Sequence, residues 1–225
     1  MTHSGQRTVA ILLVGALLFV FSGCANRSLY SWRDQAWRKD AEAICMGKGG
    51  YESSAFVERM RRINDKGACG IWYPLKVSGA LQGYVAYSTP AVVNCPMTAA
   101  VDGWFYHVVQ PAAARIYGAY VTKVQVMASY SCRTRNSKAY AKVSEHSFGN
   151  ALDIGAFTLS DGRTVTVQHG WRGSAADRAF LREAHSGACK LFTTVIGPDG
   201  DSHHYNHFHL DLARHNEDGS YHYCK

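Results

Sequence analysis

Six cysteines spread between residues 45 and 224 constrain this chain more than any other feature. They are Cys45, Cys69, Cys95, Cys132, Cys189 and Cys224; the seventh, Cys24, ends an N-terminal segment of a different kind. None of the six sits in a C-x-x-C pair, so neither a cysteine zinc site nor thioredoxin-like chemistry is expected. An even set in an exported chain implies a disulfide framework. Six cysteines allow 15 connectivities, and the sequence alone does not choose among them. The expectation adopted is sequential pairing, Cys45–Cys69, Cys95–Cys132 and Cys189–Cys224. It closes separate N-terminal, middle and C-terminal loops, each worth roughly a few kcal/mol, and the last bond ties down the segment bearing His209.

Export is read from residues 1–24. Arg7 stands before the apolar run from Thr8 to Phe21, and Ser22-Gly23-Cys24 follows. This is the plan of a secretory signal peptide. The run falls short of the ~20 apolar residues that span a bilayer comfortably. The small pair before Cys24 resembles a bacterial lipobox, with Phe21 where Leu is usual. The resemblance implies a leader over residues 1–23, lipidation of Cys24 as the mature N-terminus, and residues 24–40 as a tether or surface helix. Ala25 lacks the acidic inner-membrane retention signal, so the expected place is the periplasm, anchored to the outer membrane.

About 200 residues remain, enough for one domain with its own core. The net charge of +7 rests on 24 Lys and Arg against 17 Asp and Glu; losing Arg7 leaves 23 against 17. A basic exported chain suits an acidic polymer, anionic lipid or nucleic acid. There is no Lys/Arg-rich run and no nucleic-acid motif, so peptidoglycan with its anionic stem peptides is the expected partner.

Periodicity gives the coarse fold. Residues 27–62 are charged and mostly helical in pattern, broken in two at Gly47, Gly49 and Gly50. Val101, Trp104, Phe105, Val108 and Ile116 fall at helical spacing between Met97 and Tyr117, with Pro111 kinking or dividing that helix. Residues 120–130 alternate and should be a strand, as should Ala151 to Phe157. Asp161-Gly162 reads as a hairpin turn before a strand from Thr164 to Val167. Ser174 or Asp177 should cap a helix to about His185 that ends at Gly187. Leu191 to Ile196 and Phe208 to Leu212 complete the strands. Strands clustered in the second half with helices mainly before them predict an α+β fold. We expect a small antiparallel sheet carrying the site, flanked by helices and stapled by disulfides, as a single domain over residues 41–225.

The chemistry is concentrated in two places. Residues 144–154 read Ser-Glu-His-Ser-Phe-Gly-Asn-Ala-Leu-Asp-Ile, and residues 203–209 hold four histidines in seven positions. His146 and Asp153 can reach one centre across the turn that Gly149 permits. Asp153, between Leu152 and Ile154, is a carboxylate in an apolar strand and needs a cation or hydrogen-bond donors. In a strand, His207 and His209 share one face while Phe208 and Leu210 face the core. Two imidazoles and a carboxylate suit a zinc ion with one position left open for water. Asp211, on the same face, can hold an imidazole tautomer. His107, His169, His185, His215 and His222 offer no such spacing, and His203 stands at the margin of the site.

The pattern Ser-x-His-x-x-Gly-x-Ala-x-Asp-Ile followed by His-x-His resembles the zinc peptidases grouped with lysostaphin, the D-Ala-D-Ala metallopeptidases and hedgehog. Ser131-Cys132-Arg133, Ser144-Glu145-His146, residues 149–154 and residues 207–212 look more closely like the bacterial extensin-like C-terminal family. That resemblance covers most of residues 41–225 and includes the six cysteines. It implies His146, Asp153 and His209 as zinc ligands and His207 as a catalytic imidazole. His204 takes the place of a further histidine found in the murein endopeptidases. Asn206 stands where the D,D-dipeptidase branch has a glutamate, which favours a two-histidine mechanism. Arg133 resembles an arginine that faces the substrate carbonyl or carboxylate. The implied activity is peptidoglycan stem-peptide or cross-link hydrolysis by metal-activated water, endopeptidase rather than carboxypeptidase. The alternative is a non-catalytic zinc-containing module that binds the cell wall or serves as structure, although a purely structural site is usually closed by four protein ligands.

Overall fold

A helix, α1 (Trp32–Gly47), opens the part of the molecule seen in this computed structural model, which describes Met1 and residues 32–225, with side chains from residue 36 onward. Residues 2–31, which hold nearly all of the leader, Cys24 and the first part of the 24–40 tether, lie outside the described residues, while residues 32–40 belong to α1. Short strands follow: β1 (Val57–Arg59), β2 (Ile63–Asn64) and β3 (Gly70–Ile71). The second half of the 27–62 segment is therefore extended and not helical. Val57 is buried, and Val57–Arg59 pair with the edge of the main sheet, where ladder bonds and burial outweigh helical propensity.

The hairpin β4 (Pro74–Ala80) and β5 (Val85–Asn94) leads into α2 (Cys95–Trp104). Asn94 caps α2, its side chain accepting from the Met97 N–H at 2.8 Å. A wider π turn, Phe105–Val109, joins α2 to α3 (Gln110–Tyr117). Pro111 has no N–H for the preceding turn, so the break expected there takes the form of a π segment. The chain continues through β6 (Val121–Ala128), β7 (Ala151–Leu159), β8 (Thr164–Thr166), α4 (Val167–Gly170) and α5 (Ala175–Ala188). It ends with β9 (Thr194–Ile196), β10 (Phe208–Asp211) and β11 (Tyr223–Cys224).

The class is α+β, but the sheet is neither small nor purely antiparallel. Nine strands run in the order β1-β4-β5-β6-β7-β10-β9-β11, with β8 beside β7; a separate pair joins β2 to β3. Two pairings are parallel, β5 with β6 and β9 with β11. The first follows from the helices α2 and α3, which form the crossover that a parallel neighbour requires. Five of the eleven strands precede residue 95, whereas sequence patterning placed the strands mainly in the second half.

Helices α2, α3 and α5 cover the central strands. Trp104, Phe157, Phe180, Phe192 and Phe208 are fully buried between them, and the Trp104 indole donates to the Ala184 carbonyl at 2.8 Å. Ser174 caps α5 by accepting from the Asp177 N–H at 3.1 Å. Gly187 lies inside α5 and not at its end: a Cβ there would run into the Val108 side chain. The glycine marks a close approach between two helical segments, not a C-cap.

Two disulfides differ from sequential pairing. Cys45 of α1 bonds Cys95 at the start of α2, and Cys69 bonds Cys132, with Cα–Cα separations of 5.9 and 5.6 Å. Cys189–Cys224 is as expected. The sheet order explains the exchange. It sets α1 against α2, and brings the loop before β4 beside the loop after β6. Neighbours in space are thus not neighbours in sequence. Three disulfides place the domain in an oxidising compartment, extracellular or periplasmic. Among the described residues no helix is long and apolar enough to cross a membrane.

Candidate metal centre

Strands β7 and β10 carry the centre. Their register sets Phe208 opposite Ile154, His209 opposite Asp153 and Leu210 opposite Leu152. Side chains alternate along a strand, so Ile154, Leu152, Phe208 and Leu210 enter the core while Asp153 and His209 share the other face. His146 arrives from the 3₁₀ turn Glu145–Phe148. Gly149 ends that turn at φ 58°, and a Cβ there would also strike Ile71. The Gly149 carbonyl accepts from the Asn94 N–H at 2.8 Å, which fixes the turn to the end of β5.

The three expected ligands converge under one cleft. His146, Asp153 and His209 each offer a ligand atom, and these atoms all lie within 4.8 Å of one another. All three residues are buried. His146 Nδ1 sits 2.7 Å from the Ser129 carbonyl oxygen. A carbonyl only accepts, so in the neutral ring Nδ1 carries the proton and Nε2 the lone pair. That Nε2 has no hydrogen-bond partner although it is buried, and it lies 3.2 Å from Asp153 Oδ2. A lone pair facing a carboxylate oxygen in a buried site calls for a cation between them. The residues present therefore fit a metal ion.

His209 is held on both sides, Nδ1 by Asp153 Oδ1 at 2.8 Å and Nε2 by Asp211 Oδ2 at 2.9 Å. Burial alone would lower its pKa, but these two carboxylates outweigh burial and push it up to about 10. Burial likewise works against the Asp153 carboxylate, yet His146 and His209 hold its pKa well below the usual range. Asp211 is itself fixed by the Ala213 N–H at 2.9 Å. It keeps Nε2–H donated on the outer side, leaving Nδ1 toward Asp153 and the centre.

Two further histidines stand beside the cluster. His207 Nε2 is 3.7 Å from Asp153 Oδ2, and its Nδ1 donates to Asn206 Oδ1 at 2.8 Å. His204 packs against both His207 and His209, with ring centroids 5.2 and 5.5 Å away, and its Nδ1 donates to Asp201 Oδ1 at 2.8 Å. Burial lowers the pKa of both rings, so both are neutral proton acceptors near pH 7. Arg133 is half-buried in the cleft wall, and the exposed residues Arg135, His203, His215, Tyr221 and Tyr223 line the same cavity of about 540 Å³.

Of the groups that orient the site, sequence reasoning named Asp211 and missed the others. Glu145 accepts a bidentate pair from Arg38 of α1 at 2.6 and 2.8 Å, and also the Asn150 side chain at 2.7 Å. The Asx orienters Asp201 and Asn206 lie in a loop with no periodicity, and Asn206 was read only as a missing base. His215, set aside for want of spacing, reaches Thr194 Oγ1 at 2.8 Å across the cleft wall. A second group, His185 with Cys189 and Cys224, also lies at metal-binding distance. Its thiols are joined as a disulfide, and its histidine packs on Trp171 and Phe208.

The fold and centre define a disulfide-stapled α+β domain with a buried His-Asp-His cluster beneath an open cleft. The chain belongs to the extensin-like protein C-terminus family, whose model matches residues 43–225. Searches of the curated proteins and of the solved structures returned no match. The family name has no echo in composition, since the chain has only five Pro and lacks Pro-rich repeats.

Proposed function

We propose that this protein is an exported zinc peptidase that hydrolyses peptidoglycan stem peptides or their cross-links. The observation that carries the reading is the lone pair of His146 Nε2, buried without a partner and facing Asp153 under a cleft open to substrate. His146, Asp153 and His209 would hold the zinc. When bound, a zinc polarises a carbonyl and makes water a usable nucleophile at neutral pH. The remaining steps belong to the protein's own side chains. His207 Nε2 and His204 Nε2 take up the proton that the attacking water loses, because their Nδ1–H groups are already engaged by Asn206 and Asp201. Either ring then returns that proton to the leaving amine. Arg133 offsets negative charge that develops on the carbonyl oxygen. Asn206 at the place of a dipeptidase glutamate supports the endopeptidase course, as does the resemblance of residues 144–154 and 207–209 to the lysostaphin-type peptidases. The leader ending at Cys24 supports a lipid anchor in the outer membrane, with the domain facing the periplasm.

The test is mass analysis of purified peptidoglycan fragments after incubation with the zinc-loaded protein, with His209→Ala in parallel. New products absent from the variant support the reading and reveal the bond cut. One zinc bound, an intact fold and no products would move the protein to a non-catalytic wall-binding module.

A further inference from the structure

From Gly103 to Ser144 the chain contains no Asp or Glu. Within that stretch, residues 131–144 form a hairpin that overhangs the metal centre and carries Arg133, Arg135, Lys138 and Lys142. None of these four side chains joins an ion pair among the described residues, whereas Arg59, Arg115, Arg163, Arg172 and Arg182 each do. Tyr140, between the two lysines, is 96% exposed.

The hairpin is built to hold its place. Cys132 at its base is bonded to Cys69. The Ser147 hydroxyl is buried among Ser131 O, Arg133 O and Arg133 N, at 3.0, 2.9 and 3.0 Å. Ser131 N–H donates to the His146 carbonyl at 3.2 Å, so the base is registered on the turn that presents His146. Further out, Arg135 N–H meets Lys142 O at 2.8 Å and Thr134 Oγ1–H meets Lys138 O at 2.7 Å. The backbone that carries the cations is thus fixed before any ligand arrives.

The acids of the cleft make their contacts with other groups. Glu145 is engaged by Arg38, Asp153 by His146 and His209, Asp201 by His204, and Asp211 by His209. Arg133 and Arg135 therefore line one wall of the cleft as cations without an acidic partner among the described residues. An anion is attracted there, and a guanidinium matches a carboxylate in shape as well as charge.

We infer that the hairpin 131–144 is a carboxylate-reading finger that holds an extended acidic peptide chain across the metal centre. The inference rests on the peptidase reading and specifies its substrate as a peptide with free carboxylates beside the bond addressed. A flexible chain satisfies two demands at once: contact with the finger and entry to the buried histidine cluster. A flat anionic surface meets the first and not the second.

The test compares sedimentation of the protein with purified peptidoglycan sacculi, native or with their carboxylates converted to amides. The variant combines Arg135→Ala, Lys138→Ala and Lys142→Ala, and leaves the metal ligands and Arg133 in place. Expected is binding to native sacculi that weakens with salt, falls at least tenfold in the triple variant, and falls equally when the sacculi are amidated. Zinc content and melting temperature of the variant should match those of the parent. Equal binding by the variant, or equal binding to amidated sacculi, would overturn the finger. So would equally tight binding to anionic phospholipid vesicles that depends on the same three residues. Finger-dependent binding to sacculi that yields no cleavage products would leave the finger standing and remove the peptidase reading alone.

Discussion

A bond made on the outer side of each imidazole determines what its inner nitrogen can do. Ser129 O fixes His146, Asp211 fixes His209, Asn206 fixes His207 and Asp201 fixes His204. The ligands and the bases should therefore separate by mutation. Asp153→Ala removes the carboxylate shared by two histidines and should abolish zinc binding, read by metal analysis of the dialysed protein. His207→Ala should keep its zinc and lose roughly 10²–10⁴ in turnover, the range of a lost general base; retained turnover would remove His207 from that role. A second prediction concerns Glu42, buried in α1 and accepting from the Tyr73 N–H at 2.7 Å. Burial pushes its pKa up to about 7, against the Tyr73 and Trp72 N–H bonds and the Arg38 charge. A raised folded pKa means the fold favours the protonated acid. Its contribution is thus fully present below the unfolded value of 4.5 and is lost as pH rises to about 7. Glu42→Gln should remove roughly 3 kcal/mol of that decline, measured as the difference between denaturation curves at pH 5 and pH 8.

At the level of elements, periodicity located most of the pieces and misplaced those governed by contact. Val121–Ala128 was legible because β-branched residues alternate there, and Ala151–Leu159 because it is an apolar run after the turn at Gly149. Ser174 was legible as a cap because its hydroxyl is placed to meet the Asp177 N–H. Residues 57–64 were not, since their charged pattern suits a helix until the edge of β4 offers a partner. Gly187 misled for a related reason: a glycine near a helix end suggests a C-cap, while here it admits Val108 from the neighbouring segment. Gly187→Ala should cost about 1–3 kcal/mol by overpacking, measured by chemical denaturation. A neutral or stabilising result would mean the two segments do not touch there.

For the whole molecule, disulfide connectivity ties together parts that are far apart in sequence. Cys45–Cys95 closes a separation of 50 residues and holds α1, with its Arg38, against the domain. Replacing both cysteines with Ser should lower unfolding free energy by about 4 kcal/mol and loosen the Arg38–Glu145 pair behind His146. Urea midpoints and zinc affinity together would read both effects; an unchanged midpoint would argue against this pairing. The amino-acid sequence by itself determined the chemical inventory: six cysteines to pair, and a carboxylate and histidines in an apolar pattern that must find polar partners when buried. His146, Asp153 and His209 were legible because their chemistry is demanding and their strand periodicity is local. Which cysteines meet, which loop carries the cations, and which oxygen sets each tautomer were left to the tertiary structure. Those depend on sheet order and on contacts between residues far apart in the chain, such as the 107 positions between Arg38 and Glu145. No local pattern encodes such a contact, because both partners are chosen by the packing of the elements that carry them.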